Sequence, residues 1–306
     1  MNCLNNYRTK KMKSIKLGAI DIGSNAMRLL INYVYEEEGK TPIFNKTSIV
    51  RMPIRLGHDV FIDGEISEKN IERICDAMLS YALMMKVYDV EIYKAYATSA
   101  MREALNGKEV VKKVKKKAGI NIEIIDGKME AELLFNTELG DFIKDQKTYL
   151  YVDVGGGSTE LTLLKDSKVF TSKSFEVGTV RLLENKVEPD TFENMKKWIH
   201  DNIGHDEVEL IGSGGNINHV YKYSGVKLGL PLSSLYVKKH YQILQTMTAE
   251  ERMQVFNMKP DRADVVVYAL EIYSNVLKWS HAKKIHVPKI GLSDGIIRKV
   301  YADMNK

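Results

Sequence analysis

Tyr149-Leu150-Tyr151-Val152-Asp153-Val154-Gly155-Gly156-Gly157-Ser158-Thr159-Glu160-Leu161-Thr162-Leu163-Leu164 is the stretch on which the fold turns. Apolar β-formers run into an aspartate, three glycines and two hydroxyl residues follow, and a second β-like run leaves from Glu160. The pattern predicts strand, tight glycine turn, strand. Glycines carry no Cβ, so the backbone can enter conformations that other residues avoid, and a ligand can approach its N–H groups closely. A nest of such groups over Gly155, Gly156, Gly157 and Ser158 is an anion site. Asp153, at the strand end, can hold a metal or orient a water. A plain hairpin with a glycine-rich turn has the same pattern, so the choice falls to the rest of the chain.

With 306 residues, 44% of them hydrophobic and 28% charged, the chain has the composition of a soluble globular protein of about two domains. No apolar run reaches the roughly 20 residues of a membrane span, and the polar N-terminus shows no secretory signal. Cys3 and Cys75 allow no disulfide framework, which points to a reducing cytoplasm. A net charge of +5 suits an anionic substrate without demanding nucleic acid. The lysines of 112–117 fall opposite Val110, Val111, Val114 and Ala118 at helical spacing and are expected to form a solvated helix face.

In chain order, strands are expected over 16–21, 26–35, 43–56, 90–97 and 120–125. Ser67 caps a helix that buries Ile71, Ile74, Cys75, Met78, Leu79 and Ala82. Ser99 caps a helical region, broken at Asn106-Gly107 and ended by Gly119, and a further helix runs over about 128–143. Strands are expected again over 148–154, 160–164 and 168–176. Helices follow Gly178 and Asp190, a strand over 208–211 runs into Gly212-Ser213-Gly214-Gly215-Asn216, and a helix opens there. Asp261 is a candidate cap for the longest later helix. A strand over 285–290 and a closing helix end the chain. The two halves therefore share an element order and an opening, Asp21-x-Gly23-Ser24 in one and Asp153-x-Gly155-Gly156 in the other. Two α/β domains with facing glycine turns imply a ligand cleft between them.

The paired Asp-x-Gly hairpins resemble the actin-like ATPase superfamily of acetate kinase, sugar kinases, Hsp70 and actin. Asp21-Ile-Gly-Ser-Asn-Ala-Met-Arg28, Arg55-Leu-Gly57, Ala97-Thr-Ser-Ala-Met-Arg-Glu-Ala104, Ile124-Ile-Asp-Gly-Lys-Met-Glu-Ala131 and Asp153-Val-Gly-Gly-Gly-Ser-Thr-Glu160 narrow the resemblance to the exopolyphosphatase and guanosine pentaphosphate phosphohydrolase family, with Arg262-Ala-Asp264 and Leu292-Ser-Asp-Gly295 fitting its second domain. The resemblance implies an α/β fold of two actin-like (RNase H-like) domains, each βββαβαβα, with an interdomain cleft. The expected division is an extension over 1–14, a first domain over 15–140 and a second over 141–306, whose closing helix, about 295–304, can pack back on the first. The chain ends too soon for the HD-type helical domain of longer members and is expected to be the short form.

The implied activity is release of the terminal phosphate of inorganic polyphosphate, or of the 5′-terminal phosphate of guanosine pentaphosphate, with Mg2+ as cofactor. The expected partners are those substrates, with no membrane or nucleic acid and with a homodimer allowed for. A sensor binding guanosine tetraphosphate without turnover and an ATP-dependent phosphotransferase stay open as alternatives. Phosphoanhydride cleavage needs the phosphoryl group held, its charge neutralised and a water aimed in line. Gly23, Ser24 and Asn25 are expected to supply donors from one side, Gly155, Gly156, Gly157 and Ser158 from the other. Arg102, in the first turn of its helix, can pair bidentately with phosphate oxygens. By resemblance, Glu130 activates the water, although Met129 stands where family members often carry a second acid. Asp153 and Glu160, joined by Asp21, are the expected magnesium carboxylates. Gly214 and Gly215 fall where the superfamily meets the nucleoside or distal phosphates, and Asn216 replaces a common threonine.

Overall fold

The computed structural model describes residues 13–135, 143, 147–166, 168–288 and 290–305. The expected extension up to residue 12, with Cys3, and the helix expected beyond residue 135 fall outside these, Ile143 apart.

The first sheet is built on β1 (Lys13–Ile22), β2 (Met27–Glu36) and β3 (Ile43–Met52), an antiparallel meander. β1 is buried on both faces after its first residues because it lies centrally, with β2 on one side and the parallel β4 (Ile92–Ala97) on the other. β5 (Ile122–Ile124) extends the parallel part. β3 stops before Pro53, which cannot donate to a ladder. Arg55 then adopts a left-handed backbone (φ 62°) and turns the chain into α1 (Leu56–Asp63), a helix that the expected strand over 43–56 left out. α2 (Glu68–Val87) starts at Ser67, whose Oγ accepts from the Asn70 N–H at 3.3 Å. Its buried face is Ile71, Ile74, Cys75, Met78, Tyr81 and Met85. Leu79, expected there, is 39% exposed, and Ala82 is only partly buried. Helical periodicity carries Leu79 round to the side of Asp76 and Leu83.

α3 (Ser99–Glu103) follows β4, and α4 (Gly107–Ala118) buries Val110 and Val114 while Lys113 and Lys117 pair with Glu68 and Asp76 on α2. Thr98, not Ser99, holds the cap position of α3. The Ser99 hydroxyl is turned to Ser24 instead, Oγ to Oγ at 3.0 Å. α5 (Gly127–Phe135) closes the first half.

The second sheet repeats the plan. β6 (Thr148–Val154), β7 (Thr159–Lys165) and β8 (Lys168–Phe175) form the meander, and α6 (Thr179–Leu183) and α7 (Thr191–Ile203) precede β9 (Val208–Ser213), which pairs parallel with β6. α8 (Gly215–Tyr223), β10 (Leu232–Ser233), α9 (Ser234–Gln245), α10 (Ala249–Phe256), α11 (Pro260–Ala263) and α12 (Val266–Trp279) lead to β11 (Lys284–His286), parallel to β9. The strand orders β3-β2-β1-β4-β5 and β8-β7-β6-β9-β11 are the same topology, with β10 added at the far edge. Asp261 does not cap the long α12, which starts after Val265. Its carboxylate lies 2.5 Å from Arg51 across the cleft instead.

The closing helix α13 (Leu292–Met304) packs on β1, β4 and α5. Leu133 and Leu134 of α5 and Ile296, Ile297 and Val300 of α13 fill one cluster with Ile15, Leu17 and Ala19 of β1 and Tyr149 and Tyr151 of β6, so these two helices lie between the sheets. The helices touch closely at Gly295, where a Cβ would stand 2.0 Å from the Leu133 carbonyl oxygen. This layering brings the ends of the two meander turns face to face. Among the described residues no helix is long and apolar enough to cross a membrane.

Candidate active site

The turn between β1 and β2 and the turn between β6 and β7 are built alike. Gly23 N–H donates to the Ala26 carbonyl (3.1 Å), and Gly155 N–H donates to the Ser158 carbonyl (3.0 Å). These two N–H groups close their own turns, so the expectation that Gly23 and Gly155 donate to a ligand is corrected. Other donors take their place. In the second turn, the Gly155 carbonyl accepts from Thr179 N–H (3.0 Å), the Gly156 carbonyl from Val180 and Arg181 N–H (2.8 and 3.1 Å), and the Gly157 carbonyl from Arg181 Nε (2.9 Å). A trans peptide points its C=O and N–H in opposite directions. Holding those three carbonyls on α6 therefore turns the N–H groups of Gly156, Gly157 and Ser158 away from it.

In the first turn, Gly57 N–H holds the Ser24 carbonyl (2.8 Å) and Arg55 N–H holds the Asn25 carbonyl (3.0 Å), which turns the Asn25 and Ala26 N–H groups the other way. Residues 23–26 of the first turn and 155–158 of the second line one cavity of about 270 Å³.

The glycines of 155–157 are not in left-handed backbone. Their use is close approach. A Cβ on Gly156 would stand 2.9 Å from Ser24 Cβ, and one on Gly157 would stand 2.0 Å from Ser99 Oγ. The second turn packs against Ser24 of the first turn and Ser99 of α3 only because it carries no side chain at Gly156 and Gly157. Gly214 differs: with φ 106° it needs glycine for its backbone, and it brings the start of α8 to within contact of Asp153 Oδ1.

The acids converge beneath these turns. Antiparallel pairing sets Asp153 opposite Glu160 and Asp21 opposite Arg28. Asp21 is ion-paired with Arg28 at 2.8 Å. Glu160 Oε1 accepts from Ser158 Oγ (2.7 Å) and Ser174 Oγ (2.9 Å), and Glu160 does not line the cavity. Asp153 does line it. Burial and the Glu160 charge push the Asp153 pKa up to about 7. Glu130, in the first turn of α5, is 9% exposed, and its Oε2 has no hydrogen-bond partner. Burial first, then Glu160, Asp153 and Asp21, raise its pKa well above the carboxylate range, and Arg102 opposes this. Arg102 itself is not at the cavity wall. Its Nη1 donates to the Ile125 carbonyl at 2.7 Å, and its charge acts on Glu130 and Glu160.

Opposite the acids the wall is basic. Arg28, Lys46, Arg51 and Arg262 all line the cavity, and the place a Cβ on Gly215 would take is flanked by Arg262 Nη2 (3.3 Å) and Arg28 Nη2 (3.7 Å).

The sequence profile of the Ppx/GppA phosphatase family matches residues 34–303. The chain belongs to that family. The bifunctional 3-dehydroquinate synthase/phosphatase of Fusobacterium nucleatum is 29% identical over 287 residues, 85% of this chain and 43% of that protein. Exopolyphosphatase 2 of Mycobacterium tuberculosis is 31% identical over 184 residues, 58% of this chain and 57% of its own. The chain spans about half the length of these relatives. Among solved structures, the Ppx/GppA member of Aquifex aeolicus superposes with a TM-score of 0.75 at 25% identity, covering 96% of this chain and all of the other. An exopolyphosphatase of Cytophaga hutchinsonii does so with a TM-score of 0.78 at 24% identity, over 95% and 98% of the two chains. The two-sheet α/β architecture is thus the two-domain actin-like fold of the Ppx/GppA proteins.

Within this Ppx/GppA fold, Asp21, Gly23, Ser24, Asn25, Glu130, Asp153, the 155–158 turn, Gly214 and Gly215 all reach the cavity, while Arg102 and Glu160 stand behind it. The expected trio Asp21, Asp153 and Glu160 is no ready cage. Arg28 and two serines occupy its outer members, and among the described residues no three His, Cys, Asp or Glu side chains could hold a metal on their own. Sequence reasoning gave Arg28, Arg51, Arg181 and Arg262 no role. Two signals were available for Arg28 and Arg262: one lies seven residues after Asp21 in the first hairpin, and the other sits in the Arg262-Ala-Asp264 motif. Arg181 had none.

Proposed function

We propose that this protein hydrolyses the terminal phosphoanhydride bond of inorganic polyphosphate, with Glu130 as the general base. The observation that carries the reading is Glu130 itself: a buried carboxylate with a free Oε2, among like charges, at a cavity into which five backbone N–H groups are turned. A buried carboxylate without a partner is costly unless a function retains it. Its raised pKa makes its ionised form a stronger base for a water near neutrality.

In this reading the terminal phosphoryl sits between the turns and accepts hydrogen bonds from Asn25, Ala26, Gly156, Gly157 and Ser158. Glu130 takes a proton from the water. The water oxygen bonds to phosphorus as the bridging P–O bond breaks, and the shortened polyphosphate leaves toward Arg28, Arg51 and Arg262. Arg102 opposes the rise in the Glu130 pKa rather than touching phosphate. The oxygen-only donor set fits a hard cation such as Mg2+, which needs few protein carboxylates because phosphate oxygens and waters complete its shell. Asp153 is the residue to hold it, since it lines the cavity and its charge is otherwise disfavoured there. Bound, the metal would offset charge on the phosphate oxygens. We take the first domain to end near residue 140, the second to close on it around this cleft, and the cytoplasm to be its location.

A line of three arginines leading from the turns favours polyphosphate over guanosine pentaphosphate, which presents a nucleoside at that distance. The test is phosphate release with magnesium on short polyphosphate, long polyphosphate, guanosine pentaphosphate and ATP. Release from polyphosphate with the highest kcat/KM is expected. Release from none of the four would favour a sensor, and transfer from ATP to an acceptor would favour the phosphotransferase.

A further inference from the structure

Arg262 is a cation of the cavity wall. Among the described residues no carboxylate lies within ion-pair distance of it, and the adjacent Asp261 is engaged by Arg51. Arg51 and Arg28 add like charge nearby, and the Asp261 charge acts against them. Among the described residues its one side-chain partner is His219 on α8: Arg262 Nη1 lies 3.3 Å from His219 Nδ1. A guanidinium can only donate, so Nδ1 must keep its lone pair and the ring proton belongs on Nε2. The surroundings keep the ring neutral. His219 is 8% exposed, and burial followed by the Arg262 charge lowers its pKa to about 4, with Lys222 and His240 acting in the same direction and the Phe256 carbonyl against it. The ring is wedged in place by Tyr223 at 4.8 Å between centroids, and Tyr223 in turn meets Phe256 edge-on at 5.6 Å. His219 lies on the helix whose first residues, Gly215, Asn216 and Asn218, line the cavity.

We propose that His219 is a positioning residue for the substrate: by accepting from Nη1 it fixes the Arg262 guanidinium so that Nη2, beside Gly215 and Arg28, meets the distal phosphates of the bound chain. The idea rests on the polyphosphate reading above for the identity of the anion. Without the histidine acceptor, repulsion from Arg28 and Arg51 would swing Arg262 toward open solvent. The geometry asks for an acceptor at the Nδ1 position and nothing more from the ring, so Asn, whose Oδ1 falls near that point, should substitute for His where Leu should not.

The test measures tripolyphosphate binding by calorimetry without metal, and phosphate release with magnesium, for the wild type, His219→Leu, His219→Asn, Arg262→Ala and the double variant His219→Leu/Arg262→Ala. Expected are an about tenfold loss of affinity and a matching rise in KM for His219→Leu, with kcat much less affected, and recovery to within about threefold for His219→Asn. In the Arg262→Ala background the leucine change should add nothing, because its effect passes through the arginine. An equal loss from His219→Leu with and without Arg262, or no recovery by asparagine, would overturn the proposal and leave His219 a packing residue. Wild-type protein that binds tripolyphosphate but releases no phosphate would sink only the hydrolase reading. Wild-type protein that binds none would sink both.

Discussion

Glu160 stands directly opposite Asp153 across the β6–β7 hairpin, and two serine hydroxyls, from Ser158 and Ser174, hold its carboxylate. The serines anchor one acid while the other faces the cavity, so two like charges are kept together where neither is comfortable. The Asp153 pKa, about 7 in the folded protein against 3.8 for the ordinary group, records the cost.

That cost has a pH signature. An acid whose pKa is raised by folding binds more protons folded than unfolded, so stability falls as pH rises from about 4 to about 7 and is level in this contribution outside that window. Asp153→Asn should therefore be more stable than wild type at pH 8, by up to about 4 kcal/mol, with the advantage shrinking toward pH 4, and it should be inactive. Urea melts of the two proteins across that range check this. A variant no more stable at pH 8 than at pH 4, relative to wild type, would contradict it.

Gly157→Ala should be far worse than Gly155→Ala. The added methyl on Gly157 meets Ser99 Oγ at 2.0 Å and the Phe61 ring at 2.5 Å, whereas the nearest atom to one on Gly155 is the Ser158 carbonyl oxygen at 3.1 Å. Overpacking of that kind costs about 1–3 kcal/mol, and here relief would push the second turn away from α1 and α3. Thermal melting should show the loss in Gly157→Ala, and phosphate release should fall by about 100-fold or more. Equal behaviour of the two variants would count against the close contact of the turns.

Arg181 is expected to matter without touching substrate. Its Nε holds the Gly157 carbonyl, its Nη2 lies 2.5 Å from Glu103, and its guanidinium covers the Phe61 ring at 4.2 Å. Arg181→Met keeps the bulk and loses the donors. It should cost about 2 kcal/mol and lower kcat more than it raises KM, because the Ser158 N–H loses its aim. Steady-state kinetics beside denaturant melts separate the two effects.

Much of this was legible in the sequence. Alternating apolar runs ending in Asp-x-Gly gave both meanders, and the repetition of the plan placed two turns at one cleft. The motif around Glu130 singled out a residue that lines the cavity. Four things needed coordinates. Helix α1 was hidden because Leu56 continues an apolar strand pattern and only Pro53 and the left-handed Arg55 break it. The packing use of the glycines was hidden: runs of glycine suggest unusual backbone, but at 156 and 157 their lack of a Cβ admits Ser24 and Ser99, which is a tertiary fact. Arg102 was expected at phosphate because sequence gives its helix and not its direction, and the Ile125 carbonyl takes it. Arg181 carries no local signal, since its partners lie 24 and 78 positions away.

The most direct measurement is phosphate release from tripolyphosphate by Glu130→Gln. The amide is isosteric, removes a charge that burial disfavours, and cannot accept a proton from water. The variant should melt at or above the wild-type temperature, bind tripolyphosphate at least as well, and release phosphate about 100- to 10,000-fold more slowly. Release within a few fold of wild type by the folded variant would contradict the assignment of Glu130 as the base.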